Sequence, residues 1–338
     1  MNATIPESLR AFLSGLVDYA GLFPPARLDL AVALRNHLNH RHGDDAWMLG
    51  RFIVPAGRLT ELPPLLPSSG EGARPLRLSV LVGGGADIGS AADTLAADLR
   101  RVQNLVDEHG DRVTVEALET RLPETVAQSA DPDQTARAVD AILERVGGAG
   151  LAALDLAVES PGPAAFAKRD APAIAELGAA RRAGLPPQVD RLAYKLRCGG
   201  VDAEAVPDLR RVAAVLTACR DRGVAFKATA GLHHPLRGPA PELPVVMHGF
   251  VNLFGAGFLA HGAGLDDSDV AACLDERAPA AFVFDEGGFA WRDRRVDTAT
   301  VQRLRREALL GFGSCSFDQP REELRALGLL PGLFPPAF

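Results

Sequence analysis

RLAYKLRCGG (191–200) and GVAFKATAGLHHP (223–235) decide the fold of this chain. Each begins as an apolar run with a lysine near its C-terminal end, Lys195 and Lys227, and an amphipathic helical pattern over 203–221 separates the two. Apolar strand, helix, apolar strand is the pattern of a parallel sheet whose outer face is covered by helices. The lysines are the more unusual feature. The chain has 36 Lys+Arg, of which only Lys168, Lys195 and Lys227 are lysine, leaving 33 arginines. Arginine serves solubility as well as lysine does, but it cannot act as an amine nucleophile or lose its proton at working pH. The skew toward Ala, Arg, Gly and Leu also reflects a GC-rich genome. What singles out the pair is its equivalent position in consecutive units.

Outward from this pair the alternation continues. Residues 47–55, 77–84, 113–118, 151–159, 191–197, 224–230, 280–286 and 308–314 read as buried strands. Helical patterns at 88–108, 132–147, 169–183, 203–221, 297–307 and 320–328 lie between most of them and after the last, with Asp131-Pro132 and Asp318 near Pro320 as start signals. Eight such units predict an α/β fold, a single (β/α)8 TIM barrel, rather than an open doubly wound sheet. Residues 1–46 read as an N-terminal helical extension packed on the barrel, 47–330 as the barrel, and 331–338 as an apolar tail that echoes GLFPPA at 21–26. Thr4 and Glu7 have capping-box spacing for a helix over 4–18. The crossover 56–75 is Pro-rich and has room for only a short helix, and 241–277 is long enough for a broken helix or an inserted pair. A rival count makes 17–23 the first strand and drops 308–314. VGGGAD (82–87) is not G-x-G-x-x-G, so a dinucleotide site is not expected.

The bulk numbers narrow the function. With 47% hydrophobic and 23% charged residues the chain is globular, and a net charge of −7 argues against nucleic acid and anionic membranes as partners. Neither a signal peptide nor an apolar run long enough to span a bilayer is present, so a cytoplasmic location is expected. A small-molecule substrate and a homo-oligomer fit the chain. Cys198, Cys219, Cys273 and Cys315 form no CxxC pair.

In a barrel, chemistry sits at the C-terminal ends of strands and in the loops after them. Those ends present Arg51, Glu116, Glu119, Asp155, Glu159, Lys195, Arg197, Lys227, Thr229, His233, His234, Asp285, Glu286, Ser314 and Cys315. Alternation puts Lys195 and Arg197 on one strand face, and Lys227 and Thr229 on one face of the next. Adjacent strands lie about 4.8 Å apart, so the two ammonium groups are expected side by side, each lowering the other's pKa. A loop histidine at 233 or 234 suits general acid–base work. His248 and Asn252 share a helix face and suit a lid, or a packed helix. His37, His40 and His42 read as a solvated helix end.

The residues around the lysine pair resemble the class I aldolases of barrel fold, and most of all the deoxyribose-phosphate aldolases. YKLRCGG stands where that family has its Schiff-base lysine and a small turn, and FKATAGL where it has a second lysine in a K-x-[ST]-x-G-like turn. FGSCSF (312–317) is similar to its late Gly/Ser phosphate loop. Arg197, Cys198 and the HHP after the second lysine depart from the family, which puts a phosphosugar in doubt. The resemblance implies that Lys195 forms an imine and Lys227 tunes it, or the reverse.

The expected function is therefore carbon–carbon lyase or related carbonyl chemistry on a small polar or anionic metabolite. Lys195 or Lys227 is the nucleophile, Glu159 or Glu116 the proton shuttle, and His233 or His234 an auxiliary acid or base. Arg197, Thr229, Arg51, Cys315 and Asn252 are expected to bind substrate, without a cofactor. One alternative is lyase, isomerase or hydrolase chemistry on a divalent metal held by Glu116, Glu159, Asp285 or Glu286, with the lysines as electrostatic stabilisers. The other is a non-catalytic ligand-binding barrel, in which the lysines only pair with glutamates.

Overall fold

The computed structural model describes residues 5–68, 74–129, 131–162, 166–200, 202–239 and 244–330. Eight parallel strands close into a barrel: β1 (Val17–Tyr19), β2 (Leu49–Pro55), β3 (Leu76–Leu81), β4 (Val113–Arg121), β5 (Leu154–Glu159), β6 (Val189–Arg197), β7 (Ala225–Thr229) and β8 (Leu309–Ser314). Each pairs with its sequence neighbours, and β8 pairs with both β7 and β1 to complete the ring. The fold is a single (β/α)8 TIM barrel.

Most crossovers are the expected helices, among them Ile88–His109, Pro132–Gly147, Asp170–Ala183, Leu209–Arg222 and Thr298–Glu307. Their starts are chemically marked. Asp87 and Ser90 form a reciprocal capping box, and the carboxylates of Asp131, Asp208 and Asp297 accept first-turn N–H groups. Among the described residues, the Pro-rich crossover after β2 holds only 3₁₀ turns at Ala56–Glu61 and Pro63–Leu65, because prolines cannot sustain an α-helical ladder.

Two strand assignments need correction. The segment expected to be a wholly helical extension supplies β1, and its helix stops at Leu13 rather than at 18. Gly15 turns the chain at φ +56, and Val17–Tyr19 then pairs with β2 and β8. Conversely, 280–286 is not a barrel strand. Phe282–Asp285 pairs antiparallel with Gly288–Trp291, which pairs with Arg294–Val296, a small sheet outside the barrel. A two-residue turn, Glu286-Gly287, makes this tight reversal, and Gly288, which opens the second strand at φ +123, has no room for a Cβ. The rival count was half right: a strand does begin at 17, but 309–314 remains in the ring. Thr4 and the tail 331–338 lie outside the described residues, and Pro6 is the N-terminal boundary residue of the first helix.

The long 241–277 segment carries an inserted helix pair, Phe250–Gly262 and Asp267–Asp275. The first is buried on every side among the aromatic rings of Phe226, Phe289 and Phe312, as its uniformly apolar composition requires. His37 is not solvated as expected; it is 1% exposed, against Tyr19 and Phe52.

Candidate active site

The barrel interior has three layers. The middle one is small and apolar: Ala157, Ala193, Ala225 and Leu310. An eight-stranded barrel has an interior just wide enough for side chains. Alanine at three of these positions leaves room for long charged side chains above and below.

The lower layer is a network of arginines and carboxylates. Arg51 Nη2 donates to Asp155 Oδ2 at 2.7 Å, and Arg51 Nε donates to Glu116 Oε2 at 3.1 Å. Arg191 grips both oxygens of Asp155 at 2.5 and 2.6 Å, and Arg77 grips Glu116 at 2.6 and 2.8 Å. Arg305 closes the base by donating to the carbonyls of Ser14, at 2.9 Å, and Leu309. Burial pulls its guanidinium down to about 10.

The upper layer holds the lysines. Lys195 and Lys227 are register partners on β6 and β7. Glu119 on β4 lies between their amines, with Oε2 2.8 Å from Lys195 Nζ and Oε1 3.4 Å from Lys227 Nζ. Glu159 on β5 meets Lys195 at 3.2 Å, and Asp18 on β1 pairs with Lys227. Ser79 Oγ donates to Glu119 at 2.6 Å, and the backbone N–H of Arg51 donates to Asp18 at 2.7 Å. At the rim Arg197 Nε donates to Glu159 at 3.2 Å, while the Arg197 side chain remains 51% exposed.

The electrostatics differ from the sequence expectation. Two neighbouring amines were expected to depress each other. Burial does disfavour the Lys195 ammonium, but Glu119 and Glu159 outweigh it and hold its pKa above the ordinary lysine value. Burial likewise opposes ionisation of Glu119 and Glu159; Lys195, with Lys227 at Glu119 and Arg197 at Glu159, overrides it, holding Glu119 well below the ordinary carboxylate range and lowering Glu159. Lys195, Glu119 and Glu159 thus each favour the charged form.

Of the residues expected at the site, the structure brings together Lys195, Lys227, Glu159 and Arg197, with Thr229 beside Arg197 in register. Glu116 and the Arg51 guanidinium are taken up by pairing in the lower layer, Arg51 with Glu116 and Asp155, and Glu116 also with Arg77. Asn252 is also taken up. Its amide donates to the carbonyls of Cys273 and Glu276, and its oxygen accepts from Arg237 N–H, so it staples the insertion rather than covering the mouth. His248 Nε2–H donates to the Pro207 carbonyl, 2.7 Å away, and burial lowers its pKa to about 4. Asp285 is bound by Arg295 in the outer sheet, away from the strand ends of the barrel. His233 Nδ1 lies 3.9 Å from Cys315 Sγ, and His234 Nδ1 lies 2.8 Å from Glu323. Burial lowers the His233 pKa and raises that of Cys315, so this pair rests neutral.

Two site residues were missed. Asp18 sits in a strand only three residues long, too short for a period-two signal, though a lone acid between Val17 and Tyr19 was the available hint. Glu119 was visible at a strand end but was passed over for Glu116. Strict alternation forbids positions 116 and 119 from facing the same way, and a bulge opposite Leu78–Ser79 makes it possible.

Among the described residues, no group of three His, Cys, Asp or Glu side chains stands close enough to hold a metal ion. Among those residues, no helix is long and apolar enough to cross a membrane. Compared with known proteins, the chain matches no family model and no curated protein.

Proposed function

We propose that this barrel is an enzyme of carbon–carbon lyase or related carbonyl chemistry, acting on a small polar metabolite with Lys195 as its amine. The observation that carries the reading is the buried carboxylate Glu119 held between two lysines of adjacent strands, beneath the C-terminal mouth where barrel enzymes work. The Lys195 side chain is 8% exposed against 1% for Lys227, so an entering carbonyl meets Lys195 first.

The step balances with groups already present. The Lys195 ammonium passes a proton to Glu159, and the freed amine adds to the carbonyl carbon. Glu159 returns the proton to the departing hydroxyl, water leaves, and an iminium forms beside an ionised Glu159. The ionised Glu159 then takes the proton of the β-hydroxyl, a new carbonyl forms there as the carbon–carbon bond breaks, and the bond's electron pair passes to the iminium as an enamine. Glu159 returns the proton to the enamine carbon, and hydrolysis of the resulting iminium releases the product and the Lys195 ammonium. Glu119, bonded to Lys227 and Ser79, is the fixed negative charge that offsets the cation at nitrogen.

Borohydride reduction in the presence of small aldehydes and ketones, read by intact mass and peptide mapping, tests this. Wild type should gain one reduced adduct at Lys195, and Lys195→Arg should gain none. An adduct confined to Lys168 or the N-terminal amine, or no adduct at all, overturns it. The raised Lys195 pKa favours a second reading, in which the ammonium stabilises an enolate-like oxyanion without a covalent link. That reading gives exchange of substrate α-protons with solvent and no adduct.

A further inference from the structure

We infer that the mouth carries an oxyanion clamp made of Arg121 and Arg197, so that the substrate is a small carbonyl compound bearing a carboxylate or phosphate. Arg121 ends β4 and Arg197 ends β6, on either side of Glu159 at the end of β5. Arg121 is the register partner of Glu159, which is the register partner of Lys195, so the three form one row across the mouth. Arg121 is exposed, and among the described residues it makes no hydrogen bond or ion pair.

Three further observations point to an anion. The first is charge. Among the described residues Lys195, Lys227 and Arg197 pair with Asp18, Glu119 and Glu159, whereas Arg121, at the strand end beside Glu159, has no carboxylate partner. The second is how Arg121 is seated. A Cβ built on Gly84 would stand 2.9 Å from Arg121 Nε and 3.4 Å from Nη2, so the guanidinium lies on the bare backbone of the VGGG turn. Gly84 has φ +97, a conformation that needs glycine, and the turn thereby orients a planar donor fork that a side chain there would displace. The third is exposure. Arg197 spends one contact on Glu159 and leaves half of its side chain in the opening. Two guanidinium forks offer the bidentate geometry that carboxylate and phosphate oxygens match.

The clamp rests on the proposed site only for what it presents to Lys195, and it can be tested separately. Isothermal titration would use pyruvate against acetone, and dihydroxyacetone phosphate against dihydroxyacetone, with wild type, R121Q and R197Q. The anionic member of at least one pair should bind wild type about tenfold tighter than its neutral partner, and R121Q and R197Q should each weaken it about tenfold. Which pair shows the preference separates carboxylate from phosphate. Raising the salt from about 20 to about 200 mM should weaken that binding. Equal affinity for neutral and anionic partners, anion binding untouched by R121Q, or no binding of either anion overturns the clamp. Borohydride capture run in parallel keeps the two ideas apart. Anion binding without capture overturns the amine reading alone, and capture without anion preference overturns the clamp alone.

Discussion

The barrel encloses two charged layers that differ in one respect. Below the alanine belt every cation is an arginine: Arg51, Arg77, Arg191 and Arg305. Above it the two buried cations are lysines, in a chain with 33 arginines and only Lys168, Lys195 and Lys227 as lysine. The lower layer uses forks that satisfy two acceptors at once and stay charged near neutral pH, which suits a plug. The upper layer uses point charges that can give up a proton and form a bond to carbon. The same ionic pairing therefore serves architecture at one end and reactivity at the other.

The sharpest way to break this comparison is Lys195→Arg. It keeps the charge and some of the pairing but removes the amine, so borohydride capture should fall by about a thousandfold or more, while overpacking costs about 1–3 kcal/mol. The complementary change is Asp155→Ala in the lower layer. It strands Arg51 and Arg191, and urea unfolding should show a loss of about 3–5 kcal/mol. Capture per folded molecule should persist. If Asp155→Ala abolished capture in folded protein, the division between layers would be wrong.

The pH dependence of stability sharpens the contrast. Burial pushes the His37 imidazole down to about 3, so the folded state keeps it neutral while the unfolded chain protonates below about 6.5. That stability is present above pH 6.5 and is lost as pH falls from there toward 3. Lys195 is the opposite case: its raised value gives stability that is present below the ordinary lysine pKa and is lost as pH rises through the raised value. Chemical unfolding against pH should therefore begin to weaken at about 6.5, not only near the carboxylate range. His37→Leu should flatten that arm by an amount on the order of 3 kcal/mol. An unchanged acid arm in the variant would remove His37 from this role.

Smaller effects complete the series. Arg51→Lys keeps one contact of two in the lower layer and should cost about 1–3 kcal/mol in urea unfolding. Glu61→Gln breaks the exposed pair with Arg58 and should leave the thermal midpoint unchanged. A clear drop there would mean that surface pairing carries more of the stability than the interior argument allows.

Much of this was legible before the structure. The crossover helices announce themselves through periodicity and acidic caps, and the lysine pair through its rarity and its placement in adjacent units. What escaped did so for identifiable reasons. AAFVFDE has a strand's composition, and nothing local tells a barrel stave from a hairpin whose Glu286-Gly287 turn folds it back on the outside. Val17–Tyr19 is too short to show alternation and is a strand only because β2 and β8 flank it. Glu116 and Glu119 change places as candidates because of a bulge, which one sequence does not reveal. Arg51 looks like an anion clamp at a strand end, yet it stands early in its strand, near the base.

The shortest strand also sets the order in which this protein can become functional. Asp18 is made 209 positions before its partner Lys227, and β1 cannot complete the ring until Leu309–Ser314 has been synthesised. The pocket is thus absent from a nascent fragment that stops short of β8 and comes into being only when β1 and β8 are clasped. A ribosome-bound chain stalled before residue 309 should hold most of its helices and none of its chemistry.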